Sequence, residues 1–256
     1  MMAMGQDPTE NGSLAVSIRH AGDSAFLVEF GEHLSEQSND AALAFERMVR
    51  VRRIPAIVET VPTGRSVLVK FDPLVSPFRA VRSALAELLD GIDWSRPKPM
   101  PGRHRWTIPV RYGGEHGSDL DDVARALGLS VDRTIEDHAS SRLRIMMIGF
   151  APGALYCGMH DARWALPRLP CAKPMVPAGS VSVAVRQTVI YSLPNPTGWR
   201  LIGQTPFRSF DPNRVPPSLV RAGDEIRFRA VSETEFLRLG DRALAGEPVA
   251  EREEIP

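Results

Sequence analysis

The sequence predicts an α+β protein: helices on a small antiparallel sheet, then a linker, then a β-barrel or folded sheet. Three observations predict it. Residues 13–94 read as strand, strand, helix, strand, strand, helix, an order that places both helices on one face of an antiparallel sheet. Residues 95–103, SRPKPMPGR, hold three prolines and a glycine without periodicity, the composition of a linker. Beyond them the apolar runs are short and separated by turn residues, which points to a barrel or folded sheet.

LAVSIRH (14–20) and SAFLVEF (24–30) alternate around Ala21-Gly22-Asp23 and predict a hairpin. Residues 35–53 place Leu43, Phe45, Met48, Val49 and Val51 in a charged background. That spacing suits an amphipathic helix capped by Ser35 or Ser38. IVETV (57–61) and SVLVKF (66–71) are strands turning around Pro62-Thr63-Gly64. Residues 77–89 form a second helix with Pro77 near its first turn. WTIPV (106–110) is a strand followed by a turn at Tyr112-Gly113-Gly114. Two short helices follow over 119–127 and 130–140, with Gly128 as the stop between them. LRIMMIGF (143–150) reads as a buried strand, or as a short helix, since periodicity alone does not separate the two. EIRFRAV (225–231) is a late strand. The expected boundaries are a disordered N-terminus over 1–12, the α+β domain over 13–94, a linker over 95–104, the barrel over 105–240 and a frayed, charged tail over 241–256.

The 256 residues are 43% apolar and 24% charged, with a formal net charge of zero. A neutral chain has no global field to recruit nucleic acid or an anionic membrane. No apolar run approaches the roughly 18 residues of a membrane span, and the N-terminal MMAMGQDPTENG lacks the basic start and apolar core of a secretory signal. The two cysteines, Cys157 and Cys171, are expected to be reduced thiols in a cytoplasmic protein.

There is no Walker A loop, GxGxxG, GxSxG or HExxH motif, and no Cys/His spacing for a metal. The richest stretch is 149–212, where glycine, proline, small hydroxyls and single aromatics interrupt very short apolar runs. Loops of that kind on a β scaffold carry function. Gly149-Phe150-Ala151-Pro152-Gly153 is a turn that exposes backbone N–H groups or aims Phe150 into the core. In Pro177-Ala178-Gly179-Ser180-Val181, Gly179 forms a bend and Ser180 presents a hydroxyl at a strand start. Alternation along VSVAVRQTVIYSL puts Gln187, Val189 and Tyr191 on one face and Thr188 and Ile190 on the other. A buried glutamine needs partners or a ligand. His138 lies late in a helix, where capping and acid–base work are both open to it.

These residues, in this order, resemble the family of 5-oxoprolinase B subunits, also called KipI (kinase A inhibitor) or allophanate hydrolase subunit 1. The motifs are IPVRYGG (108–114), DL (119–120), GLS (128–130), His138, GFxPG (149–153), Tyr156, Gly158, Pro167-Arg168, VPAGSV (176–181), QT (187–188), Tyr191, GW (198–199), LIG (201–203), Thr205 and FDP (210–212). GDSAFLVEFG (22–31) and VLVKFDP (67–73) extend the resemblance toward the N-terminus.

The resemblance implies a ferredoxin-like N-terminal domain followed by a cyclophilin-like β-barrel domain. It implies a KipA-type partner, the C-type component of the enzyme. With a third, A-type component it implies ATP-dependent cleavage of 5-oxoproline to glutamate, with Mg accompanying the nucleotide. Other branches imply inhibition of a histidine kinase or a carboxyltransferase-like role related to urea carboxylase. The cyclophilin-like fold alone would suggest prolyl isomerisation. The candidate catalytic residues are Lys173, Thr188 and His138. The candidate substrate-binding residues are Phe150, Pro152, Gly153, Tyr156, Arg168, Gly179, Ser180, Gln187, Tyr191 and Trp199, with turn N–H groups at Gly153 and Gly179 as donors to phosphoryl or carboxylate oxygens. Where the family pattern continues GSVGIxGxQT, this chain has Ser182, Ala184, Val185 and Arg186, so side chains stand where backbone is usually bare.

Overall fold

A computed structural model describes residues 14–98 and 100–255. The N-terminal segment expected to be disordered lies outside the described residues. The chain divides into two compact units, with the division between Pro99 and Met100.

In the first unit, β1 (Val16–His20) and β2 (Ala25–Phe30) form the hairpin, α1 (Glu36–Arg52) follows, then β3 (Ile57–Thr63), β4 (Ser66–Phe71) and α2 (Phe78–Leu89). All pairings are antiparallel, in the order β1-β2-β4-β3. This is the ferredoxin-like arrangement with β1 in the place of the last strand. The Ser35 hydroxyl accepts from the Ser38 N–H, and the Ser38 hydroxyl accepts in return from the Ser35 N–H, a reciprocal cap that satisfies two orphan donors. Alternation buries Phe26, Val28 and Phe30 of β2 and Val67, Val69 and Phe71 of β4 against Phe45 and Val49 of α1 and Val81 and Leu85 of α2. Val51, expected on the apolar face of α1, is instead exposed, because it falls outside the arc facing the sheet. The β3–β4 turn is also tighter than expected. Thr63 pairs with Ser66, leaving a two-residue turn at Gly64-Arg65, with Gly64 at φ 56°. Pro62 is accommodated within β3 because β3 is the sheet edge.

The second unit contains β5 (Arg103–Tyr112), α3 (Leu120–Leu127), α4 (Val131–Ser140), β6 (Leu143–Ile148), β7 (Leu155–Gly158), β8 (Lys173–Val176), β9 (Ser180–Ala184), β10 (Gln187–Ile190), β11 (Asn195–Thr197), β12 (Arg200–Gln204), β13 (Glu225–Ala230), α5 (Glu233–Leu244) and β14 (Glu251–Ile255). The order β12-β9-β10-β7-β6-β13-β5 closes through a β12–β5 pairing, giving a seven-stranded cyclophilin-like barrel. Ile108, Ile145, Leu155, Val181, Ile190 and Ile202 are among the side chains that fill it. β8 and β11 form a separate two-stranded sheet.

The tail expected to fray from residue 241 is ordered. It completes α5 and then adds β14 to β5, from Glu251 opposite Thr107 to Ile255 opposite Arg103. Its charges do not oppose pairing, because Glu253 meets Arg105 at 2.8 Å, the Arg252 guanidinium lies over the Trp106 ring and Ile255 is buried. The strand covers an otherwise open edge.

Candidate functional site

Period-2 alternation sorts the side chains of β9 and β10 onto two faces. Val181, Val183 and Ile190 join the barrel interior, whereas Ala184, Val189 and Tyr191 join a separate outer cluster with Val176, Trp199 and Leu201. Strands buried on both faces usually read as continuous apolar runs; here the covered outer face also carries Ser180, Ser182 and Gln187, all buried.

That outer face is an aromatic cradle. Trp199 packs edge-on to Tyr156, with centroids 6.0 Å apart, and the Arg168 guanidinium lies 5.7 Å from the Trp199 ring. The Tyr191 and Thr197 hydroxyls are 2.6 Å apart, and the Trp199 N–H donates to the same Thr197 oxygen at 2.9 Å. Burial raises the pKa of both Tyr156 and Tyr191, so both phenols stay protonated at neutral pH. Gln187 lies across Gly158, whose missing side chain leaves room for it: a Cβ there would meet the Gln187 Cγ at 3.3 Å.

Among the described residues, the buried side-chain polar atoms without a hydrogen-bond partner are Ser180 Oγ, Ser182 Oγ, Gln187 Nε2 and Asn195 Nδ2. All four belong to β9, β10 or β11. An unpaired buried polar atom costs about 1–3 kcal/mol. All four therefore keep unused hydrogen-bonding capacity on or next to the outer face of the barrel.

Six of the expected substrate-binding residues therefore gather here: Tyr156, Arg168, Ser180, Gln187, Tyr191 and Trp199. The other four lie at one end of the barrel. Phe150 is 82% exposed at φ 68°, so the turn does not aim it into the core. The Pro152 carbonyl accepts from the Ser192 hydroxyl, and the Gly153 carbonyl accepts from the Ser209 hydroxyl at 2.7 Å. Gly153 sits against Phe210 so tightly that a Cβ would lie 2.1 Å from the Phe210 Cβ. Gly179 is packed with equal closeness on the Thr205 carbonyl. Its N–H, expected to face an anion, donates instead to the Tyr191 carbonyl at 2.6 Å. Gly179 also lines a groove of about 640 Å³ bounded by Leu193, Thr205, Phe210 and, on α5, Leu237 and Leu244.

The expected catalytic residues are not brought together as a set. Lys173 Nζ is 2.9 Å from Asp119 and 3.2 Å from the Ser118 hydroxyl, and Asp119 also accepts the Leu201 N–H. This ties β8 to the start of α3. His138 and Thr188 do meet, but inside the barrel. The Tyr112 hydroxyl lies 2.8 Å from His138 Nδ1, and Thr188 Oγ1 lies between His138 Nε2 at 2.9 Å and His160 Nε2 at 2.7 Å. Phe228 stacks on His138 and Trp164 on His160. Burial drives the His138 pKa well below its usual value and that of His160 down to about 4, so both imidazoles are neutral near pH 7.

Sequence reasoning missed Ser182, Asn195 and His160. The alternation that singled out Gln187 contained the signal for Ser182. His160 follows a short strand in an irregular stretch, and nothing local ties it to Thr188. Glu115, His116 and Glu233 place three ligand atoms within 4.8 Å of one another. His116 Nδ1 is bonded to Gln204 at 2.8 Å and Glu233 to Arg111 at 3.0 Å, while the Glu115 side chain is 86% exposed. Of the expected phosphate donors, the Gly179 N–H and the Lys173 ammonium are spent within the fold. No helix among the described residues is long and apolar enough to cross a membrane.

Residues 16–220 match the family model described as carboxyltransferase domain, subdomain C and D. The chain is 36% identical over 231 residues to the 5-oxoprolinase B subunit of Bacillus subtilis (strain 168), covering 86% of this chain and 94% of that one. The crystal structure of TTHA0988 superposes with a TM-score of 0.70 at 33% identity, covering 81% of this chain but only 40% of the longer one. The crystal structure of Kluyveromyces lactis urea carboxylase has the same fold, with a TM-score of 0.78 at 18% identity, covering 97% of this chain and 24% of that one. This chain thus spans less than half of those solved chains and nearly all of the Bacillus protein. It belongs to the family of 5-oxoprolinase B subunits, within the carboxyltransferase-domain proteins.

Proposed function

We propose that this chain is the B-type component of an ATP-dependent amide hydrolase that opens 5-oxoproline to glutamate. In that reaction the lactam C–N bond breaks, the carbonyl carbon gains the oxygen of water and the nitrogen gains a proton. A five-membered lactam is a poor electrophile, so ATP, converted to ADP and phosphate, would supply the activation that lets water attack it. The single structural observation supporting the reading is that Gln187, with its Nε2 buried and unpaired, lies on the same outer barrel face as Tyr156, Tyr191 and Trp199, with Arg168 over the Trp199 ring. Arg168 would pair with the substrate carboxylate, the Trp199 and Tyr156 rings would hold the flat lactam, and Gln187 Nε2 would donate to its carbonyl oxygen.

The chain's share is to bind and orient. Because Lys173 and the Gly179 N–H are engaged within the fold, this reading assigns ATP and its Mg to a companion chain. The companions are a KipA-type (C-type) protein and an A-type protein, and the complex would work in the cytoplasm.

The test is ATP-dependent glutamate release by this chain combined with its A-type and C-type companions. Arg168→Gln and Gln187→Leu should raise KM at least tenfold with the complex intact. A wild-type complex with no turnover of 5-oxoproline would sink the substrate; unchanged KM in both variants would remove the cradle from the site.

A further inference from the structure

Phe150 is the most exposed aromatic among the described residues, and its backbone is held at φ 68°. A bulky residue in the left-handed region is strained, and exposing a phenyl ring gains nothing in an isolated chain. Yet the turn beneath it is firmly built. The Gly149 N–H donates to the Ala154 carbonyl at 3.1 Å, the Ala154 N–H donates to the Ala151 carbonyl at 3.1 Å, and Ser192 and Ser209 bond the carbonyls of Pro152 and Gly153. The ring is thus displayed on a rigid base, the form of an interface anchor.

Its surroundings agree. The pairing of Ile190 with Leu155 places residues 149–154 and 191–194 side by side at one barrel end. In a chain with 24% charged residues, GFAPGAL (149–155) and YSLPNPT (191–197) carry no charge. Charge depletion around an aromatic marks the core of an interface rather than a solvated face. Leu193 is half-exposed and lines the 640 Å³ groove together with the exposed Leu237 and Leu244 of α5, and Arg208, Asp211 and Asp241 add charge to that lining.

We infer that the Phe150 turn and this groove are the docking surface for the companion polypeptide, with Phe150 inserting into an apolar pocket on it. The occupant is argued from chain length. In TTHA0988 this fold makes up about 40% of a single chain, so the remaining polypeptide has to be accommodated beside it. The inference rests on the functional reading above, and it assigns Phe150 to protein contact rather than to substrate.

The experiment titrates the separately purified C-type (KipA-type) chain into this chain by calorimetry, with thermal melts of each variant. Phe150→Gly suits the test because glycine adopts φ 68° without strain. The expected result is at least a 30-fold loss of affinity with a Tm unchanged or raised. Leu237→Asp should also weaken binding at least tenfold. Should Phe150→Gly lower the Tm, Phe150→Asn, which also tolerates the left-handed region, replaces it. Wild-type-like affinity in the Phe150 variant overturns the docking inference and leaves the function standing. A wild-type chain that does not bind the C-type chain at all overturns both.

Discussion

His138 Nε2 and Thr188 Oγ1 lie 2.9 Å apart in the closed interior of the barrel. His160 Nε2 approaches the same hydroxyl at 2.7 Å. One hydroxyl carries one proton, so one imidazole accepts it while the other donates to the oxygen. The pair is a structural clasp between α4, β10 and the segment after β7.

Thr188→Val keeps the shape and removes the shared partner of two buried ring nitrogens. The expected loss is about 2–6 kcal/mol in urea denaturation, from about 1–3 kcal/mol for each of the two unsatisfied nitrogens. Thr188→Ser should lose less than half as much. A change in turnover without loss of stability would return Thr188 to the catalytic set.

Acid should weaken the fold through the same clasp. Burial lowers the folded pKa of His138 and His160 below the ordinary value near 6.5, so the unfolded chain binds more protons as pH falls. Their contribution is fully present above about pH 6.5 and is lost as pH falls below it, for His160 on the way down to about pH 4. For His160 the span corresponds to about 3 kcal/mol at about 1.36 kcal/mol per unit. Denaturation between pH 4.5 and 8 should show stability falling below 6.5, with a shallower slope in His160→Gln.

Val185 and Arg186 form the β9–β10 turn with φ 45° and 64°, in a stretch where the family pattern places glycine. A β-branched residue strains such a turn. Val185→Gly should stabilise the protein by about 1 kcal/mol, net of the entropy glycine adds to the unfolded chain. The Val185 N–H bond to the Leu166 carbonyl at 2.8 Å is retained. A lower Tm would mean that the valine side chain gains more from packing than its backbone loses.

Ser182 Oγ is buried without a partner. Ser182→Ala should therefore not destabilise the free chain. It should raise stability by up to about 1 kcal/mol, while weakening substrate binding in the assembled enzyme. A loss above 1 kcal/mol in the free chain would assign the hydroxyl a structural bond instead.

Much of this is legible in the sequence. Alternation in SAFLVEF and SVLVKF names the sheet face that packs on α1 and α2, and the cap is narrowed to Ser35 or Ser38, because pleat period and capping are local properties. The face shared by Gln187 and Tyr191 follows from the same period. The charged tail is not legible in this way: whether alternating glutamates and arginines fray or pair depends on an open edge of β5 about 145 residues away. The glycines at 153 and 179 read as turns, yet their N–H groups and close contacts are set by Phe210, Tyr191 and Thr205. The sequence by itself determined the order of elements in the first unit, the alternating faces of its strands and the family. Only the tertiary structure decided that Thr188 and His138 lock the interior, that Lys173 is spent on Asp119, and that Tyr156, Arg168, Gln187 and Trp199 share one outer face. Barrel closure brings together residues from strands far apart in the chain, and no local pattern encodes which polar groups will find partners there.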